Sequence, residues 1–175
     1  MANFKDSPKF ETHDDYYTPK WIFERINHLI PADKTIWEMC LLGSNEQSKK
    51  YLTELGHTVI GDNECDCLTD TQYEKDCDMI ITNPPFDLKI KLPILQKLVK
   101  MDKPFMIIMN SLNIFSNYFQ DTFKDKEIHY IMPRGKLYFD KYNGQEKLID
   151  NQKNKSTSFY CVIVCYKVID KNYFI

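Results

Sequence analysis

The chain has 175 residues, 43% of them hydrophobic and 14% aromatic, which is enough apolar side chain for one folded domain and excludes a mainly disordered chain. Its 23 basic and 25 acidic residues nearly cancel, which argues against nucleic-acid binding by phosphate attraction alone. Residues 1–86 nevertheless carry a net charge of −8 and residues 87–175 a net charge of +6. Folding could gather the positive residues of the second half into one basic face, or these residues serve only solubility.

The first half of the chain predicts helices alternating with strands. Residues 1–14 are polar and irregular and predict an arm. Thr18 and Pro19 then indicate a helix start, with Thr18 as its cap and Pro31 as its stop. The elements predicted next are a strand over 35–39, a helix capped by Ser44 and Gln47 that ends at Gly56, and strands over 57–62 and 78–82.

The second half predicts one further helix–strand unit and then a strand-rich end. Residues 140–157 are polar, rich in Lys, Asn and Gln, and without periodicity, so they predict a flexible or functional loop. The other predicted elements are helices over 92–101, with Pro93 near its start, and 115–123, and strands over 105–109, 128–132 and 158–168, with 136–139 extending the second of these strands.

This order of elements predicts the fold class. Strands that alternate with helices form a parallel sheet with right-handed crossovers, and the last long strand returns antiparallel. We therefore expect an α/β three-layer sandwich that forms a single domain over residues 1–175. No apolar run approaches the roughly 18 residues of a membrane span, and no secretory signal opens the chain, so we expect no membrane partner and a cytoplasmic or nuclear location.

The six cysteines do not predict a metal site. A zinc site built from Cys65, Cys67, Cys77 and His57 would match no common zinc spacing, so we expect no metal. Cys161 and Cys165 lie in an apolar run and are predicted to be reduced core thiols.

The tetrapeptide Asn83-Pro84-Pro85-Phe86 is the most informative motif in the sequence. Two adjacent prolines between an amide and an aromatic residue are rare, and they end a predicted strand where ligands bind in open α/β sheets. The side-chain oxygen of Asn83 and the carbonyl of Pro84 could each accept one N–H of a planar amine, held in place by the rigid prolines. Phe86 offers a face on which a flat base can stack. The motif therefore predicts methylation of an NH2 group.

Asn-Pro-Pro-Phe resembles the catalytic motif of the S-adenosylmethionine-dependent amino-methyltransferases, chiefly the N6-adenine DNA methyltransferases of small viral or phage type. The resemblance spans about residues 15–168. Besides the tetrapeptide, the segments that carry it are Asp15–Phe23 with its Tyr-Thr-Pro sequence, Ile36-Trp37-Glu38, Gly56–Asp62, Asp66-Cys67-Leu68 and Pro133–Phe139.

The resemblance implies a Rossmann-like methyltransferase fold, S-adenosylmethionine as cofactor, and DNA or RNA as partner. It implies catalytic roles for Asn83, Pro84, Pro85 and Phe86. The residues that it implies in cofactor binding are Tyr17, Thr18, Pro19, Glu38, Gly43, Asp62, Asp66 and Cys67. Asp62 would accept from ribose hydroxyls, as acidic residues at the end of a second strand do in nucleotide-binding folds.

Two departures from the family pattern leave other interpretations open. Only Gly43 remains of the two glycines that usually follow the acidic residue of the first motif, and residues 39–42 are either a working cofactor loop or a buried extension of the strand. No separate target-recognition domain is expected, so recognition would come from residues 140–157, the N-terminal arm, or a second subunit in a homodimer or other complex. The alternatives are a catalytically silent methyltransferase-like subunit that binds nucleic acid or a partner, and methylation of RNA or of protein glutamine.

Aromatic residues elsewhere are predicted to have structural roles. Tyr118, Phe119, Tyr138 and Phe139 are expected in the core rather than in a stacking surface. The lysines within 141–155 either contact phosphates or are simply solvated.

Overall fold

The computed structural model describes residues 16–41, 46–141 and 158–175. Gly43, Ser44, the arm over residues 1–14 and most of the predicted loop over 140–157 therefore lie outside the described residues. The strands are β1 Tyr16–Tyr17, β2 Thr35–Trp37, β3 Thr58–Ile60, β4 Met79–Thr82, β5 Phe105–Asn110, β6 Ile128–Met132, β7 Leu137–Tyr138, β8 Asp140–Lys141, β9 Ser158–Phe159, β10 Cys161–Tyr166 and β11 Tyr173–Phe174.

Five α-helices and two short 3₁₀-helices connect these strands within the described residues. The α-helices are α1 Lys20–Ile26, α2 Gln47–Glu54, α3 Gln72–Asp76, α4 Leu88–Met101 and α5 Asn117–Phe123, and the 3₁₀-helices are Asn27–Leu29 and Ser111–Phe115. None of the helices in this part of the chain is both long enough and apolar enough to cross a bilayer.

Seven strands form one sheet in the order β11-β6-β10-β5-β4-β2-β3. The strands β3, β2, β4 and β5 are parallel to one another, and β10 runs antiparallel to both β5 and β6. The short β11 pairs in parallel with β6. This arrangement confirms the predicted parallel sheet with an antiparallel strand near its end.

Helices cover both faces of the sheet, which confirms the three-layer sandwich. On one face α1 and α2 pack Ile22, Phe23, Ile26 and Leu52 onto alternate strand residues such as Ile81. On the other face lie the buried residues of α4 and α5 with the intervening strand residues, Ile94, Leu95, Leu98, Phe119 and Phe123 against Ile80, Ile107 and Val164. Strands that are buried on both faces consist of continuous apolar runs, and for this reason β4 and β5 could be predicted from the sequence.

Two helix starts differ from the prediction. Thr18 does not cap α1: Pro19 occupies the cap position, and no side chain caps the first turn. Helix α2 begins at Gln47 after Glu46, whose backbone is left-handed with φ of 42°, and the predicted cap Ser44 lies outside the described residues. Helix α4 begins at Leu88 because the side chain of Asp87 accepts a hydrogen bond from the Lys89 amide.

Pro93 therefore lies inside α4 and not near its start. The ring removes one backbone hydrogen bond from the helix, a cost that the buried residues after it offset by packing on the sheet.

The strand-rich end is more divided than predicted. Residues 136–139 do not extend β6. Instead, β7 forms a separate antiparallel ribbon with β9, in which Leu137 lies opposite Phe159. The predicted strand over 158–168 is interrupted at Tyr160, between β9 and β10. A second two-stranded ribbon joins β1 to β8 and fixes the Tyr-Thr-Pro segment beside the end of β7.

Candidate active site

The residues that follow β2, β3 and β4 meet at one edge of the sheet. Trp37 lies opposite Ile60 on one side and Ile80 on the other, so these three parallel strands end almost level. The amide of Glu38 extends the pairing by donating to the carbonyl of Ile60 at 3.1 Å. Glu38 and Asn83 are thereby held near each other, as expected for a ligand site at the carboxyl ends of the strands.

Glu38 is a buried carboxyl group with several hydrogen-bond donors. It is only 2% exposed. Its Oε1 accepts from the hydroxyl of Thr82 at 2.5 Å and from the amide of Cys40 at 3.2 Å. Burial raises the pKa of Glu38 to about 7, although hydrogen bonds from Thr82, the Cys40 amide and Ser48 favour the ionised form. The group can therefore exchange a proton near neutral pH.

A narrow hollow opens beside Glu38. Its volume is about 10 Å³, which is room for about one water-sized group, and it is partly open to solvent. Its lining contains residues from four separate parts of the chain, Tyr17, Glu38, Cys40, Leu41, Gln47, Ser48 and Asn83. The hollow brings together three of the predicted site residues, Tyr17, Glu38 and Asn83.

The structure describes residues 39–41 of the segment that follows β2, and Leu42 lies outside the described residues. Strand β2 ends at Trp37, so residues 39–41 do not extend it. Cys40 and Leu41 line the hollow, while Met39 is buried in the core. A leucine side chain therefore lies beside the hollow where the enzymes that the motif resembles have glycine.

Polar atoms without partners lie at two of the predicted segments. Asn83 Oδ1 is buried and accepts no hydrogen bond from the described residues, although the residue as a whole is half-buried. The hydroxyl of Thr18 is likewise buried without a partner. The other described side-chain atoms of this kind are Trp37 Nε1 and His57 Nδ1. A buried acceptor without a donor costs about 1–3 kcal/mol, so the Asn83 oxygen is exceptional unless a ligand supplies the donor.

The Pro-Pro-Phe part of the motif is anchored to its surroundings. Pro84 is buried, and the half-buried ring of Phe86 meets Phe139 edge-to-face at 6.1 Å between centroids. The buried ammonium of Lys91 donates to the Phe86 carbonyl at 3.2 Å and to Asn113 Oδ1 at 3.3 Å. Lys91 thus fixes the Phe86 backbone, and the Phe86 side chain is only partly buried.

Asp62 lies at the end of β3, as predicted, but its carboxylate already has three donors. Oδ1 accepts from the amides of Glu64 and Cys65, and Oδ2 accepts from the hydroxyl of Tyr73 at 2.6 Å. The Tyr73 hydrogen bond is the main reason that the pKa of Asp62 lies below its usual value. Asp62 does not line the hollow and organises the turn after β3.

Asp66 and Cys67 also lie next to the hollow without lining it. Asp66 Oδ1 accepts from the Leu68 amide at 3.0 Å and so closes its own turn. Cys67 is buried, and its thiol shares a hydrogen bond with Cys40, which lines the hollow. This bond, followed by burial, raises the pKa of the Cys40 thiol well above its ordinary value.

Several residues at the site were not singled out in the sequence. Thr82 was hidden in an apolar strand, although a hydroxyl at its last position is a polar signal just before the motif. Lys91 and Phe139 contact the motif only through the tertiary fold. Phe119 and Phe139 are buried as predicted, but the prediction for Tyr138 is wrong, since its side chain is 58% exposed.

The arrangement of the cysteines forms no metal site among the described residues. All six are free, and Cys161 and Cys165 are buried as predicted. Over residues 16–41, 46–141 and 158–175, no three His, Cys, Asp or Glu side chains are grouped so as to hold a metal ion.

Gly61 provides the closest backbone approach at the site. Its φ is 115°, and a Cβ added there would lie 2.6 Å from the Glu38 carbonyl oxygen. We predict that Gly61→Ala lowers the free energy of unfolding by at least about 1 kcal/mol more than Gly56→Ala does. Gly56 is a matched control, because its φ of 96° carries the same kind of strain but nothing lies within 4 Å. Urea unfolding of the two variants measures the difference, and equal losses would contradict the close approach.

Comparisons with known proteins show the fold. No protein-family profile and no curated protein sequence matches the chain. Among solved structures, the chain is similar to a Listeria monocytogenes protein described as a class I S-adenosylmethionine-dependent methyltransferase, with a TM-score of 0.54 and 12% identity. The match covers 90% of this chain and 64% of the Listeria chain. The chain therefore has the Rossmann-like fold of class I methyltransferases.

Two more distant structures share parts of this architecture. A Thermotoga maritima S-adenosylmethionine-dependent O-methyltransferase has a TM-score of 0.45 and 11% identity, over 87% of this chain and 65% of the other. A mutant of Spodoptera frugiperda DNMT2 has a TM-score of 0.40 and 12% identity, over 81% of this chain and 46% of the other.

Proposed function

We propose that this protein transfers a methyl group from S-adenosylmethionine to the exocyclic amine of adenine in DNA, after the base is extruded from the helix. The observation that carries the proposal is the buried Oδ1 of Asn83 at the wall of the hollow, for which the described residues supply no hydrogen-bond donor. The class I methyltransferase fold supports the cofactor. The resemblance of the tetrapeptide to the N6-adenine enzymes supports the substrate.

The residues around the hollow fit a cationic donor. Glu38 offers a buried carboxyl group, Tyr17 forms part of the same wall, and Thr18 adds a hydroxyl that has no partner. We assign the methionine end of the cofactor to Tyr17, Thr18, Pro19, Glu38 and Gly43. The turns that contain Asp62, Asp66 and Cys67 would hold its adenosine end.

When bound, S-adenosylmethionine supplies a methyl group on sulfur; its transfer forms an N–C bond, breaks the S–C bond, and leaves S-adenosylhomocysteine and a proton released to water. Asn83 Oδ1 and the Pro84 carbonyl accept the two N–H groups and orient the amine lone pair. Because both acceptors are fixed before the base arrives, they need no reorganisation during transfer. Phe86 contributes a ring face on which the base stacks.

A second candidate, a catalytically silent methyltransferase-like subunit, is favoured by one observation. The leucine at position 41 lines a hollow of only about 10 Å³, where backbone should approach the cofactor. A silent domain would keep the fold and a binding role for nucleic acid or a partner subunit, without methyl transfer.

Calorimetry followed by a transfer assay tests the proposal. We expect S-adenosylmethionine to bind with a sub-millimolar dissociation constant. When DNA, RNA and total protein are offered separately with labelled cofactor, we expect the label in DNA, as N6-methyladenine. Absence of binding at millimolar cofactor would support the silent subunit. Binding with label only in RNA or in protein glutamine would retain the chemistry and reject DNA.

A further inference from the structure

The β7–β9 ribbon and the residue that follows it carry two exposed aromatic rings, Tyr138 in β7 and Tyr160 directly after β9, and a cation lies beside the second ring. Tyr138 is 58% exposed and Tyr160 is 61% exposed. The ammonium of Lys136, which is also exposed, lies 5.4 Å from the centroid of the Tyr160 ring. Tyrosines normally bury most of their rings in the core, so two exposed rings at one small ribbon are unusual.

This ribbon is attached directly to the Asn83–Phe86 turn. Its inner face carries Phe139, which is buried and packs edge-to-face on Phe86. The carbonyl of Tyr160 accepts a hydrogen bond from the Ser111 amide at 2.8 Å, which ties the ribbon to the end of β5. Because side chains alternate along a strand, Tyr138 points away from Phe139, so it lies on the opposite side of the ribbon from the contact with Phe86.

Exposed apolar and basic residues also occur in the segments next to the ribbon. Leu112 and Phe115, on the 3₁₀-helix that begins at Ser111, are 74% and 73% exposed. Arg134 is exposed near the start of the ribbon. The ribbon and these segments thus combine apolar and aromatic area with positive charge, in the half of the chain that carries a net charge of +6.

That combination selects a ligand class. Aromatic rings bind unpaired bases by stacking, and neighbouring cations bind the phosphates between them. In a duplex the base faces are covered by their neighbours, so exposed rings gain little from it. An apolar protein partner would not need a lysine beside an exposed ring.

We propose that Tyr138, Lys136 and Tyr160 form a stacking platform for single-stranded nucleic acid next to the target base. The inference rests on the proposed function, whose substrate form it specifies. It assigns the unpaired nucleotides that flank the reacting adenine to the ribbon, and the adenine itself to the Asn83–Phe86 turn.

Fluorescence anisotropy with a labelled single-stranded DNA of about 12 nucleotides tests the platform in the absence of cofactor. We expect the single strand to bind at least about tenfold more tightly than the same sequence in a duplex. The double variant Tyr138→Ala/Tyr160→Ala should lose at least about tenfold in affinity for the single strand, because each base loses its stacking partner. The double variant Tyr138→Phe/Tyr160→Phe keeps both rings and should bind within about twofold of the unchanged chain.

Further variants separate the platform from general effects. Phe174→Ala removes another exposed aromatic ring, on β11, and should leave the affinity unchanged. Lys136→Gln should weaken binding and reduce its salt dependence. Equal affinity for single strand and duplex, or an unaltered affinity in the double alanine variant, would overturn the platform, as would a protein that competes for this surface while the single strand does not bind.

The outcome is distinguishable from failure of the proposed function. Asn83→Ala should slow methyl transfer and still show the loss of single-strand affinity when the two tyrosines are also replaced by alanine. If the chain methylates DNA but the tyrosine variants bind and react normally, the platform is wrong and the enzyme assignment stands. If the single strand binds through the tyrosines but no methyl group is transferred, the platform stands and the enzyme assignment is wrong.

Discussion

Replacing Asn83 with alanine is expected to lower the rate constant for methyl transfer by about 10²–10³-fold, the usual effect of removing one preorganised polar group from a reacting centre. The physical reason is that Asn83 Oδ1 is the buried acceptor available to an amine N–H beside the hollow. Single-turnover transfer of labelled methyl groups to DNA, at saturating cofactor, measures this step.

The stability of the same variant separates a functional oxygen from a structural one. Because Oδ1 has no donor among the described residues, its removal breaks no hydrogen bond within this part of the chain. We therefore expect the free energy of unfolding to fall by no more than about 0.5 kcal/mol. Asn83→Asp is the matched control, since it keeps an acceptor at the same position and should retain part of the rate. Loss of stability together with activity would indicate a structural role for Asn83 and would remove the observation on which the proposed function depends.

The fold could be predicted from the sequence where one local signal dominates. Strands β4 and β5 are apolar runs buried on both faces, and Gly56 ends α2 through its positive φ. The double proline ends β4 because it cannot continue the ladder. These signals needed no tertiary information.

Other elements depend on contacts that the local sequence does not show. The two residues of β11 become a strand only because β6 offers its free edge. Pro93 has the preferred first-turn residue type, but Asp87 provides a side-chain acceptor six residues earlier and starts α4 there. Thr18 has the residue type of a cap, yet its hydroxyl is buried without a partner.

The candidate site divides in the same way. Asn83 follows a strand whose end is marked by the double proline, whereas the strand predicted over 35–39 ends at Trp37 and leaves Glu38 in the turn after it; the parallel sheet brings the two residues together. The partners of Asp62 could not be predicted, since its carboxylate is bonded to a tyrosine in α3, a short helix with little periodic signal. The candidate residues at the strand ends could therefore be predicted from the sequence of this chain, whereas the hydrogen bonds that support them could not.

Glu38→Gln is expected to stabilise the protein at pH 8 and to weaken cofactor binding at the same time. The pKa of Glu38 is about 7 in the fold, against an ordinary value of 4.5, because burial disfavours its charge. In the unfolded chain the carboxyl group ionises near pH 4.5, while in the fold it stays protonated until about pH 7. The contribution of Glu38 to the free energy of unfolding is therefore fully present below pH 4.5 and is lost as the pH rises through 7.

The size of this loss follows from the shift. A difference of about 2.5 pKa units corresponds to about 3 kcal/mol at pH 8. Glutamine remains neutral and can still accept from Thr82 and the Cys40 amide, so the variant should gain up to about 3 kcal/mol relative to the unchanged chain between pH 4.5 and pH 8. Urea unfolding at the two pH values measures the gain. Glu64→Gln, at an exposed position, is the control and should show a gain within about 0.5 kcal/mol of zero at both.

Cofactor binding should change in the opposite direction. A cationic donor in the hollow favours the ionised form of Glu38, so its affinity for the unchanged chain should rise about tenfold from pH 6 to pH 8, following the ionised fraction of a group with a pKa of about 7. In Glu38→Gln this pH dependence should disappear and the affinity at pH 8 should fall, although the fold is more stable. Calorimetric titrations of both proteins at pH 6 and pH 8 provide the comparison. If Glu38 binds the cofactor, the Glu38→Gln variant must lose cofactor affinity even though it gains stability. An unaltered affinity in the variant would mean that the carboxyl group serves only to hold the turn after β2.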